Sequence, residues 1–270
     1  MQYALVAGVR REASVGIGGT CPACGSATVA RCGTRKIHHW AHRALKDCDQ
    51  WWENETDWHR AWKNHYPAEC REVVHFAPDG EIHRSDIKTP GGIYIEVQHS
   101  HLPEPERLAR EAFYGNLIWV LDGRSFRKSF EVCHELPHPR SLLAEDIVWC
   151  AAHRRMKGLN SGMFYRLSQN GPATKANFHS VQRFVQINPA CEIQAEVQQN
   201  YVGHHQFYWT RPHESWLASG SPVYIDFGDE VLLRLQVYDE SGLRCVRLVS
   251  RTAFLKATLS ATRAADVVPD

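Results

Sequence analysis

Residues 83–100, HRSDIKTPGGIYIEVQHS, read as two β-type runs joined across Pro90, Gly91 and Gly92. Successive side chains of a strand point to opposite faces, so the length of the connecting loop decides which residues meet. A three-residue loop sets Asp86 opposite Glu96 and Arg84 opposite Gln98. A two- or four-residue loop turns Asp86 to the other face. Ile93, Ile95 and Val97 form one face of the second run, and Tyr94, Glu96 and Gln98 the other. In the three-residue register two carboxylates stand side by side, which is unfavourable for like charges opposed in a sheet. A divalent cation between them removes the repulsion, and Mg²⁺ is held by one or two carboxylates in this way. The plainer alternative is an exposed hairpin in which Asp86 only neighbours Arg84 and Lys88.

The flanks extend the pattern. Upstream, WWENETDWHRAWKNHY reads as a helix capped by Glu53 or Asn54 and running to about Tyr66. Trp58 and Trp62 make an apolar stripe with Ala61 and Tyr66. Glu55, His59 and Lys63 repeat every four residues on a neighbouring stripe. From the helix alone that line reads as a solvated face; beside the hairpin it reads as a row of groups pointed into a cleft. Downstream, PEPERLAREAFYGN reads as a helix ending at Gly115-Asn116, and LIWVLDG as a buried strand. From residue 51 the order is helix, strand, strand, helix, strand.

A second constellation lies nearer the start. Cys21 and Cys24 in CPACG can hold one side of a tetrahedral zinc ion, and HHWAHRALKDC then offers His39, His42 and Cys48. The expected ligands are Cys21, Cys24, His42 and Cys48, with His39 the rival for the third place and Cys32 a spare. A redox Cys-x-x-Cys would open a helix after a strand, whereas this one opens a turn. Four protein ligands leave no open position on the metal, so the role is structural Zn²⁺.

The whole chain sets limits. At 270 residues it can bury a substantial core, and its formal net charge of +1 gives no argument for nucleic acid by itself. Nine cysteines, an odd set irregularly spaced, suit a reducing cytoplasm. No apolar run is long enough to span a bilayer and no export signal is visible, so the expectation is a cytoplasmic protein without a membrane partner.

The order and residue types from Glu55 to Gln98 resemble the PD-(D/E)xK, or restriction-endonuclease-like, superfamily. Taken with CPACG and HHWAH, residues 1–122 resemble the CoiA-like competence protein and nuclease family. The resemblance implies an αβββαβ-type core, with Glu55, Asp86, Glu96 and Gln98 as the active site and His59 and Lys63 at its edge. It implies Mg²⁺ or Mn²⁺ held by Asp86, Glu96 and Glu55, and cleavage of single- or double-stranded DNA in DNA uptake, recombination or defence. Gln98 stands where the wider superfamily carries a lysine, and it supplies no cation. The other class of function is a zinc-containing nucleic-acid-binding or scaffold protein on the same fold.

The expected fold is therefore mixed α/β, or α+β, in four parts. They are a zinc-knuckle region at 1–50, a nuclease-like core at 51–122, a mixed connector at 123–180 with a helix near 142–156, and a β-rich region at 181–270. That last region offers VQRFVQI, CEIQAEVQ, PVYIDF, VLLRLQVYD and LRCVRLVS as strands, a DESG turn, and a closing helix near 251–260. Smaller expectations concern single residues. His99 and His101 border the site or are solvated. Arg110 contacts a phosphate or pairs with Glu106, four residues from Tyr114. Cys133, His134 and His138 hint faintly at a second metal. Trp149, Cys150 and His153 form one side of a helix. Trp209 and Trp216 fill a β core or stack on bases.

Overall fold

The computed structural model describes residues 1–34, 36–44, 48–51, 55–77, 80–153, 162–169, 171–180 and 186–267. The chain forms two compact units, one of residues 1–119 with 255–267 and the other of residues 120–254 with 268–270.

The first unit begins with five short strands: β1 (Tyr3–Val6), β2 (Val9–Glu12), β3 (Gly18–Thr20), β4 (Ala27–Arg31) and β5 (His39–His42). They form a sheet in the order β2-β1-β3-β4-β5. Ala4, Ala30 and Trp40 lie on one face and pack with Met1, Ala13 and Cys21. This small core is where the Cys-rich turn sits, since Cys24 and Cys48 pack against it too.

The same unit continues with α1 (Asp57–Asn64), β6 (Arg71–Phe76), β7 (Ile82–Lys88), β8 (Tyr94–Gln98), α2 (Glu104–Tyr114) and β9 (Leu117–Asp122), at whose midpoint the division between units falls. The sheet order is β9-β8-β7-β6. The element order is αβββαβ, with β6 as a strand that the helix–strand–strand–helix–strand reading passed over. Helix α1 is shorter than expected. Thr56, not Glu53 or Asn54, is the N-cap, accepting from the His59 amide at 3.2 Å. Glu53 and Asn54 lie outside the described residues. The helix stops at Asn64 rather than Tyr66, because Pro67 disfavours helical backbone at the residue before it.

The hairpin is closed by the Thr89 amide donating to the Ile93 carbonyl at 2.8 Å, leaving Pro90, Gly91 and Gly92 as the loop. Ile87 pairs with Ile95 and Lys88 with Tyr94, and that register sets Asp86 opposite Glu96. Gly92 has φ 84°, the left-handed conformation a three-residue loop asks of its last residue. A Cβ on Gly91 would lie 2.0 Å from the Ala261 carbonyl oxygen, so that position has no room for a side chain. Strand β8 is buried along its length. Ile95 and Val97 are at most 2 % exposed, and such burial contributes about 1.5–3 kcal/mol per side chain.

The second unit holds β10 (Phe130–Pro137), α3 (Leu142–Asp146), β11 (Ile147–Trp149), β12 (Met163–Arg166), β13 (Asn188–Pro189), α4 (Gln194–Gln199), β14 (Tyr201–Trp209), α5 (Glu214–Leu217), β15 (Val223–Asp226), β16 (Val231–Val237) and β17 (Arg244–Ser250). Its main sheet runs β10-β14-β17-β16-β15, and β11-β12-β13 form a small one. Helix α6 (Arg251–Ser260) follows, as expected, and crosses from this unit to the first. The DESG turn is present, with the Gly242 amide donating to Asp239 at 3.1 Å.

Two expectations for this unit need revision. The helix near 142–156 ends at Asp146, because Ile147, Val148 and Trp149 pair with Arg166, Tyr165 and Phe164 as a strand. CEIQAEVQ is helical, not extended: Ile193 and Val197 are four apart and both buried in one core with Trp149 and Phe164. The run VQRFVQI falls mostly outside the described residues. Trp209 and Trp216 are both buried, in keeping with a core role. Among the described residues no helix is long and apolar enough to cross a membrane.

Candidate active site and metal centre

The N-terminal turn gathers one ligand atom each from Cys21, Cys24, His42 and Cys48 within 4.8 Å of one another. The Cys21 and Cys48 sulfurs are 3.8 Å apart, and Cys24 Sγ lies 3.4 Å from His42 Nε2. Three sulfurs and one imidazole suit tetrahedral Zn²⁺. The thiols also show why a cation belongs there. Burial opposes ionisation of Cys24, but hydrogen bonds from Ser26, Cys21 and His42 bring it down to about 6. Burial and the neighbouring Cys21 charge push Cys48 up to about 12. One thiolate is favoured and the next resisted, a conflict that a dication removes.

His39 lies outside this cluster. It and His42 are three apart on β5 and so face opposite ways, and His39 Nδ1 donates to the Ile37 carbonyl at 2.8 Å. Cys32 packs at the rim of the core instead. Cys133, His134 and His138 gather no such group; among the described residues the Cys21 cluster is the one set of three or more.

The second site is a cavity of about 40 Å³ lined by Glu55, His59, Lys63, Asp86, Glu96 and Gln98. Asp49, Trp51, Glu72, Arg84 and Arg110 complete its wall. Three acids form a row across neighbouring strands. Glu72 of β6 falls between the Arg71–Ile87 and Val73–Ser85 pairs, facing Asp86 of β7, which faces Glu96 of β8. Each is met by a basic side chain from a helix. Lys63 Nζ lies 2.8 Å from Glu72 and 2.6 Å from Glu55. His59 Nε2 lies 2.7 Å from Asp86 Oδ1, close but off the line of a good ring N–H bond. Arg110 of α2 reaches Glu96 Oε2 at 3.0 Å. His59 and Lys63 are buried, so their stripe of α1 is not the solvated face that the helix alone suggested.

The hairpin opens at the acids. The Asp86 amide donates to Glu96 Oε1 at 3.2 Å, and the Val97 amide donates to Asp86 Oδ2 at 2.9 Å. Side chains thus enter where ladder carbonyls would otherwise serve. The electrostatics are split. Burial raises the cost of ionising Asp86, but the His59 charge and contact, Lys63 and the Val97 amide outweigh it and hold Asp86 at about 2. Burial and the Asp86 charge push Glu96 up to about 8, against the pull of Arg110. Glu55 is held below the usual carboxylate range, against burial, by Arg60 and Lys63.

The remaining expected residues are placed as follows. Glu55 precedes the helix cap, and its oxygens take Arg60 at 2.7 and 2.5 Å as well as Lys63. Glu55, Asp86 and Glu96 do not close to within 4.8 Å of one another as a set. Gln98 Nε2 donates to Ser100 at 3.2 Å. The His99 ring is 5.9 Å from that of His59. Arg110 pairs with Glu106 at 2.5 Å in addition to Glu96.

Residues 20–50 match the family model described as Competence protein CoiA, N-terminal domain. That segment is CoiA-like. The match supports the family resemblance and covers the Cys21, Cys24, His42 and Cys48 cluster, along with Asp49. No curated protein and no solved structure compared with the chain matches it.

Sequence reasoning missed Asp49 and Glu72. Asp49, one residue beyond the last thiol, accepts from His83 Nδ1 at 2.9 Å and from the Arg84 amide at 3.0 Å. Trp51 stacks on His83 with centroids 3.3 Å apart, and its carbonyl accepts from Arg110 at 2.9 Å. Glu72 also accepts from the Gln2 amide, at 2.9 and 2.8 Å. No local signal distinguished these acids; the odd charge inside the β-type run REVVHF was the nearest to one for Glu72.

Proposed function

We propose that this protein is a metal-dependent nuclease of the PD-(D/E)xK type that hydrolyses DNA. The observation that carries the reading is the Asp86–Glu96 pair, Glu96 buried and Asp86 half-buried, opposed across β7 and β8, with one carboxyl driven down and the other up. Two opposed acids in that state are the donor set a hard divalent cation relieves. The cavity of about 40 Å³ has room for such an ion with water, since one water needs roughly 10–15 Å³.

Asp86 and Glu96 would hold Mg²⁺ or Mn²⁺, with Glu55 reaching it through water. Bound there, the ion supplies Lewis acidity toward a phosphodiester oxygen and a water of lowered pKa. The chain's own residues set the stage. His59 stands against the Asp86 carboxylate, Arg110 fixes Glu96, and Lys63 keeps positive charge beside the acids. Gln98, with an amide that both donates and accepts, would orient a water.

The test is incubation of the zinc-loaded chain with single- and double-stranded DNA in Mg²⁺, Mn²⁺ or chelator. Cleavage should require the ion and vanish in folded Asp86→Ala and Glu96→Ala. Undiminished cutting by Asp86→Ala removes this active site. The second reading, a non-cutting zinc-containing nucleic-acid-binding scaffold, draws on the cations already seated on Glu55, Glu72 and Glu96. It expects no cleavage under any ion.

A further inference from the structure

The small N-terminal sheet has two unlike faces. Ala4, Ala30 and Trp40 point into the core. The β4–β5 register, Val29 with Ala41 and Arg31 with His39, places those four residues on the opposite face. The Arg43 amide donates to the Ala27 carbonyl at 3.0 Å, continuing the ladder and bringing Arg43 beside Ala27. Arg31 and Arg43 therefore stand at the two ends of this strand pair. Four residues separate Arg31 from Ala27, which is about 13 Å at roughly 3.3 Å per residue. Between them the floor is low, made of Ala27, Val29 and Ala41.

The charge on this face is one-sided. Arg31 and Arg43 are exposed, as is Lys36 on the β4–β5 connection. Among the described residues none of the three makes an ion pair or side-chain hydrogen bond. The acid on the same face, Glu12, lies at the far edge on β2 and accepts from Gln2 Nε2 at 2.7 Å. Many other arginines of this unit have partners, among them Arg10, Arg60, Arg71, Arg107 and Arg110, while the exposed Arg11 belongs to the other side of the sheet. Cations left exposed in a chain that pairs so many others mark a surface for an anionic partner.

We infer that this face docks the phosphate backbone of duplex DNA; the identity of the partner rests on the nuclease reading above. A flat floor without an exposed Phe, Tyr or Trp gives nothing for bases to stack on, which favours a duplex over a single strand. Guanidinium groups at both ends suit a duplex that presents one phosphate per strand for about every 3.4 Å of helix axis, and contacts of this kind carry no sequence preference. The face also lies beside the cavity. Arg60 Nη2 donates to the His38 carbonyl, at the start of β5, at 3.3 Å, and the same guanidinium holds Glu55 in the cavity wall. A duplex lying on the sheet is thereby brought to the acids.

The experiment is fluorescence anisotropy of a labelled duplex with the zinc-loaded full chain, in buffer free of Mg²⁺ and Mn²⁺, across a series of salt concentrations. Parent protein should bind. Arg31→Gln/Arg43→Gln, with zinc content and circular dichroism unchanged, should bind more weakly at low salt. Its slope of log K against log salt should fall by about 1.8, two contacts at roughly 0.9 each. Duplex binding with an unaltered slope overturns the docking face and leaves the nuclease reading intact. No duplex binding by a parent that still cleaves single strands does the same. Anionic lipid vesicles bound as tightly as the duplex, and equally weakened in the variant, would assign the face to a membrane surface and overturn the proposal. Loss of cleavage in Asp86→Ala with duplex binding retained supports both readings at once.

Discussion

Glu72 faces Asp86 across β6 and β7, and it holds that place with a positive φ of 46°. A side chain other than glycine in that region costs about 1–3 kcal/mol. The cost is offset by what the conformation delivers: a carboxylate seated on Lys63 and on the amides of Gln2 and Tyr3. The charge of Lys63 and Arg84 holds Glu72 well below the usual carboxylate range despite burial. The acid row is thus built with backbone strain at one end.

Lys63→Met should be among the most damaging single changes in the first unit. It strips a buried cation, 2 % exposed, from two acids at once. Removing one partner of a buried pair costs about 3–5 kcal/mol. A urea midpoint lowered to that extent is expected; a midpoint unmoved would mean that water already screens the acids.

Without Mg²⁺ or Mn²⁺ the chain should lose stability as pH rises toward 8. Glu96 is raised in the fold from 4.5 to about 8, so folding takes up a proton between those values. Its neutral form is tolerated fully below about pH 4.5, and stability falls as pH climbs through the folded pKa. Asp86, lowered to about 2, acts in the opposite sense and only in acid, where its contribution disappears as pH falls below 3.8. Urea midpoints of zinc-loaded protein, in resin-treated buffer between pH 5 and 9, should show the decline, and Glu96→Gln should flatten it. Added Mn²⁺ should protect most at the alkaline end. A parent profile as flat as that of Glu96→Gln would contradict the raised carboxyl.

Zinc content should separate the histidines. Cys48→Ser and His42→Ala should lose bound zinc on dialysis, whereas His39→Ala should keep it, because its ring faces away and is held by Ile37. The metal ratio per chain decides this directly. Zinc retained in His42→Ala and lost in His39→Ala would reverse the assignment.

Asp49→Asn should loosen the wall of the cavity without touching either proposed set of metal ligands. The carboxylate serves His83, the Arg84 amide and the Trp51 amide, which one amide oxygen cannot all replace. The expected loss is about 1–3 kcal/mol. Trp51, stacked on His83, gives an optical readout, and its fluorescence should shift with the substitution.

The hairpin was legible because strand geometry alternates strictly, while its loop length, left open by the sequence, was decided by the Thr89–Ile93 closure. The Cys-rich turn was legible from spacing, and β5 then chose between His39 and His42 by its own alternation. Other parts were hidden for physical reasons. Glu72 and Asp49 look like ordinary surface acids until tertiary contacts bury them. CEIQAEVQ carries apolar residues that fit either period, and the four-residue spacing of Ile193 and Val197 won once a core lay beneath them. Ile147 to Trp149 cut short a helical pattern because β12 was there to pair with them. Strand β14 went unread because Gly203 and two histidines interrupt its apolar run.

Cys48 and Asp49 are joined by a single peptide bond, the first facing the sulfur cluster and the second latched to β7. Adjacent Cα atoms across that link are held about 3.80 Å apart. No intervening loop separates them, so a shift of the Cys48 backbone is passed through Asp49 and the Arg84 amide to the strand that carries Asp86. The knuckle is the anchor bolt of the neighbouring sheet, and its chemistry cannot be altered in isolation.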